Sequence, residues 1–102
     1  MIVRFHIDPG AVAQLAGYDY RVSYEGEDLF QDSGLGSIEA CIIAATEGLG
    51  NDAVAAEVAY KGIVSGTYAL ASLALMTAQI AQHASQTAEA IEEVIAGAAG
   101  KA

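Results

Sequence analysis

The sequence predicts an α+β fold: a small, mainly antiparallel three-stranded sheet covered by helices, with a long C-terminal helix at about residues 66–96. Residues 2–7 and 18–25 alternate apolar and polar side chains with the period of two expected of half-buried strands. Residues 37–49 combine a capping serine with an apolar stripe at helical spacing. After Gly66 the chain becomes rich in alanine, the strongest helix former. The whole of 1–102 reads as one compact domain.

The elements follow in order. In the first strand Val3, Phe5 and Ile7 point one way, while Arg4 and His6 point the other. Asp8-Pro9-Gly10 then favours a short helix over 10–16, with Asp8 as cap and Pro9 at the first helical position; a Pro-Gly turn competes with it. Tyr18, Tyr20, Val22 and Tyr24 share one face of the second strand, and Gly26 reverses the chain into a third over Asp28–Asp32. Asp32–Gly36 is a turn. Ser37 caps a helix whose Ile38, Cys41, Ile42, Ala45 and Leu49 pack on the sheet.

Asn51-Asp52 caps a second helix over Ala53–Lys61, ended by Gly62, with Glu57 and Lys61 as a favourable pair one turn apart. A β-rich stretch over 58–68, which would add a fourth strand, is the competing reading of the same residues. In the long helix, Leu73, Met76, Ile80, Ala84, Ala88, Ile91 and Ile95 trace an apolar stripe. Thirty residues of helix would extend about 45 Å, more than so small a domain can cover. Either the helix kinks near Ala84-Ser85 or part of it packs on another subunit.

Composition bounds the function. The chain has 13 acidic residues against four basic ones, a formal net charge of -9, and no two of the basic residues are adjacent. Direct nucleic-acid binding is excluded as an expectation, because it needs a positive surface that releases counterions from phosphate. Anionic membrane surfaces are disfavoured for the same reason, whereas a basic partner is compatible. The window 62–81 approaches membrane-spanning length but contains Ser65, Thr67, Tyr68, Ser72, Thr77 and Gln79, so a soluble helix is expected, with a membrane-associated segment as the competing reading. The lone Cys41 excludes an intrachain disulfide, and no secretory pattern opens the chain; cytoplasmic residence is the default expectation.

Candidate chemistry is sparse. His6 and Asp8 would share a face if the first strand ran through both, without a fixed third group. Cys41 lies on an apolar helical face, which favours an inert thiol over a nucleophile. Ser33-Gly34-Leu35-Gly36 is neither a nucleophile elbow nor a phosphate-binding loop. Asp28 and Asp32 lack the further ligands of a calcium loop, and His83 suits a polar contact between helices. No cofactor and no metal site are implied.

The functional expectation is therefore a protein–protein interaction or assembly module without evident catalysis, working as a homo-oligomer. Its interface would use Leu73, Met76, Ile80, His83, Ala84, Ile91 and Ile95, and Tyr18, Tyr20 and Tyr24 could form a recognition surface. The first expectation for these tyrosines, however, is that they cover the sheet against the helices. An antitoxin-like or regulatory adaptor is the second reading, resting only on a loose analogy to a strand pair followed by a helix. A small enzyme with a site formed between subunits is the third.

Overall fold

The computed structural model describes residues 1–10, 17–51 and 53–99, with side chains through Gly97. The elements run β1 (Ile2–Pro9), β2 (Tyr18–Tyr24), β3 (Glu27–Leu35), α1 (Ile38–Leu49), β4 (Ala55–Tyr60), β5 (Ile63–Ala69), α2 (Leu70–Leu75) and α3 (Thr77–Ala99). The expected helix at 10–16 and the capping role of Asp52 lie outside the described residues.

The sheet has five strands in the order β3-β2-β1-β4-β5 and is mixed, which corrects the expected three-stranded antiparallel sheet. β1 is central. It runs antiparallel to β2 and parallel to β4, and β4 pairs antiparallel with β5. α1 makes the crossover that a parallel neighbour requires. The parallel ladder is extended at its two ends, where Val54 N donates to the Met1 carbonyl and Lys61 N to the Ile7 carbonyl, each at 3.0 Å.

The correction centres on residues 53–61. Val54, Val58 and Lys61 share a helical face, but Ala56, Val58 and Tyr60 also share a strand face, so Val58 satisfies both periods. In the folded chain Ala56, Val58 and Tyr60 are all buried, and the strand period prevails because β1 offers a ladder. Lys61-Gly62 has backbone φ of 54° and 78°, and Glu25-Gly26 has 50° and 84°. Both pairs make tight hairpin turns that need two left-handed residues. A left-handed glycine also ends helices, so Gly62 is ambiguous as sequence. The expected Glu57–Lys61 pair is absent: Glu57 meets Arg4, and Lys61 reaches Glu92 at 3.3 Å.

β3 is longer than expected, because a register shift between Tyr18 and Tyr20 lets the strand continue through Ser33-Gly34 to Leu35. The long helix is also revised. Its expected first residues, 66–69, belong to β5, and its break falls at Met76 rather than at Ala84-Ser85. Met76 takes φ −121° and ψ 29°, and the Thr77 hydroxyl donates back to the Leu73 carbonyl at 2.5 Å. Such back-bonding accompanies helix bending. α3 still has 23 residues, about 34 Å of helix.

All helices lie on one face of the sheet. Val22, Phe5 and Val58 stand side by side across the three central strands, each 0 % exposed. They share one buried cluster with Cys41, Ile42 and Ala45 of α1, Leu73 of α2, and Ile80, Ala84 and Ala88 of α3. The opposite face carries Arg4, His6, Asp8, Arg21 and Glu57, and none of the described helices covers it. Leu73→Ala should lower unfolding stability by about 2–5 kcal/mol in urea titration, because it opens a core cavity. Leu75→Ala, at a residue 85 % exposed, should change it by no more than about 0.5 kcal/mol.

Candidate functional site

Two surfaces bring together side chains that the fold itself does not consume. The first lies on the helical layer. Ser37 fixes the start of α1, its Oγ accepting from Ala40 N at 3.0 Å. With Ile38, Cys41, Ile42, Ala45 and Leu49 turned inward, Glu39, Ile43 and Glu47 are left on the outer side. Across from them α2 buries only Leu73, while Leu75, on the far side of the helix from it, and Met76 at the break are exposed. The result is a groove of about 470 Å³, lined by Glu39, Ile43, Thr46 and Glu47 on one side and by Leu73, Leu75, Ala78 and Gln79 on the other.

The second surface is the open face of the sheet. His6 Nε2 and Ser23 Oγ lie 2.8 Å apart, Arg4 pairs with Glu57, and Arg21 NH1 donates to Asp28 Oδ1 at 3.1 Å. β1 does run through both His6 and Asp8, placing them on one face, yet His6 is partnered by Ser23. Partial burial, followed by the fields of Arg21 and Arg4, holds the His6 imidazole below its ordinary range. Of the remaining candidates, Asp8, Asp32 and Ser33 line one shallow concavity with His6, Asp28 lines another with it, and Cys41 is apart in the core. Asp28 is held by Arg21, and the Asp32 carboxylate accepts from Ser33 N at 2.8 Å. Burial pushes the Cys41 thiol up to about 11. Among the described residues no group of three or more metal-ligating side chains converges.

The expected interface stripe divides in two. Leu73, Ile80 and Ala84 are inside the chain's own core, whereas Met76, His83, Ile91 and Ile95 are exposed. Of the tyrosines, Tyr20 is buried with its ring edge-on to Phe30, and Tyr18 leans on Tyr60. Tyr24 is half-buried against the core. Ser23, Glu57, Ile43 and Leu75 escape sequence reasoning. Ser23 meets His6 only through strand register, and Leu75, about 200° around the helix from the stripe residue Leu73, is set beside Ile43 only by the packing of α2 near α1.

Comparisons with family models, curated proteins and solved structures return no match to this chain. No helix among the described residues is long and apolar enough to cross a membrane. The structure shows a small, compact α+β domain with no obvious catalytic machinery among its described residues.

Two measurements test this description. With His6 depressed, the unfolded chain binds the proton first, so stability should decline as pH falls through about 6.5 and below. Replacing His6 with Gln should flatten that decline, and the His6 NMR titration midpoint should lie below 6.5. Cys41 should resist thiol reagents in the folded protein and react at the rate of global unfolding.

Proposed function

We propose that the chain is an assembly module that joins a second copy of itself through the C-terminal part of α3. One observation carries this reading. The stripe that is buried at Ile80, Ala84 and Ala88 continues on the same side of α3 to Ile91 and Ile95, which are 41 % and 63 % exposed. The cover supplied by the sheet stops while the apolar pattern goes on. Val94, 72 % exposed, widens the patch.

The charges on this segment are arranged to permit such contact. At about 100° per residue, Glu89 and Glu93 fall on the side of α3 away from Ile91 and Ile95. Glu92 flanks the stripe and is engaged by Lys61. Two copies related by a twofold axis would bring the same aliphatic patch together without opposing these carboxylates. A patch of three aliphatic side chains makes a small interface, so association should be weak and concentration-dependent.

Light scattering over rising protein concentration should show mass above that of the 102-residue chain. Ile91→Glu together with Ile95→Glu should return it to the monomer with an unchanged circular dichroism spectrum. A wild-type chain that stays monomeric at millimolar concentration would overturn the proposal.

A further inference from the structure

A different surface points to a different partner. We infer that the groove between α1 and the α2–α3 break receives a short amphipathic helix from a basic partner protein, seating aliphatic side chains against Ile43 and Leu75 and setting lysine or arginine against Glu39 and Glu47. This inference does not depend on self-association through α3.

Large apolar side chains are exposed around one concavity. Leu75 is 85 % exposed and Ile43 is 42 % exposed, and both line the groove of about 470 Å³. A space of that size accepts several aliphatic anchors. Its walls are helices, so no free strand edge is offered for an extended peptide. A helix laid into a groove is the recognition mode that needs only side-chain contact.

Charge selects the occupant. Glu39, Ile43 and Glu47 follow one another at successive turns of α1, so the two carboxylates flank the isoleucine about 12 Å apart along the axis. No lysine or arginine lines the groove. Arg4 and Arg21 are spent in ion pairs on the open face of the sheet, and Lys61 is held by Glu92. The described residues therefore supply no cation to the groove rim. A second copy of a chain carrying -9 would add acidic charge to an acidic rim, and an anionic membrane would do the same. A basic helix meets both the apolar floor and the rim, and its cations two turns apart would match the spacing of Glu39 and Glu47.

The test uses isotopically labelled full-length protein and a synthetic probe of about 18 residues, a capped Leu–Lys–Ala helix with leucines at spacings of three and four. Saturable NMR shift changes are expected at Ile43, Thr46, Leu75 and Ala78, with affinity falling as salt rises. E39K combined with E47K should weaken binding by about tenfold or more, and Leu75→Ser should weaken it while leaving the acidic rim intact. A Leu–Glu–Ala peptide of the same pattern should not bind, and I91E with I95E should leave binding unchanged. Shifts scattered over the surface, equal binding by a Ser–Lys–Ala peptide, or undiminished binding by E39K/E47K would overturn the inference. So would loss of self-association on Leu75→Ser, which would assign the groove to a second copy. All four substituted positions in the groove and on α3 that alter charge are exposed, and circular dichroism verifies that each variant is folded.

Discussion

The structure depends on one buried row. Val22, Phe5 and Val58 lie abreast on the three central strands, and each has lost all contact with water. Burying a side chain of this size stabilises the fold by about 1.5–3 kcal/mol, but only if a second layer covers the row. α1 and the α2–α3 segment are that layer. The parallel pairing of β4 with β1 follows from the same requirement, since it brings Val58 beside Phe5 and leaves room for helices on one face. Everything polar on β1, β2 and β4 is then directed to the opposite face, where Arg4, Arg21 and His6 find Glu57, Asp28 and Ser23.

The helix break is the second determinant. An uninterrupted helix from Leu70 would carry one continuous stripe along one side. Leu73 and Ile80, seven residues apart, stay in the core across the turn at Met76, where Thr77 bonds back to Leu73, while Met76 itself is turned outward and Leu75 lies on the far side of α2 from Leu73. Beyond Ala88 the stripe outruns the sheet. The helical layer thus presents two exposed apolar regions: one at the α2–α3 break, the other where the helix is longer than its cover.

Charge is segregated along with polarity. Three of the four basic residues are in ion pairs, two on the open sheet face and one at the β4–β5 turn. Exposed pairs of this kind add little stability. Their larger effect is on what remains, because among the described residues the groove rim keeps Glu39 and Glu47 with no neighbouring cation. A strongly acidic composition, which by itself signals little more than solubility, becomes a directional property once the few cations are placed.

Much of this was readable from residue order. The period of two in Ile2–Ile7 and Tyr18–Tyr24, the Ser37 cap and the inward face of α1 are local patterns, and the folded chain keeps them. The exposed end of the C-terminal stripe also follows from helix length against domain size. Other features belong to contacts distant in sequence. Val58 fits two periods and Gly62 fits two kinds of chain ending, so β4 exists as a strand because β1 presents an open ladder beside it. His6 meets Ser23 through register, and Leu75 comes beside Ile43 through the way α2 packs near α1. Periodicity states which side of a segment is apolar; only the assembled layers determine whether that side is covered, and by what.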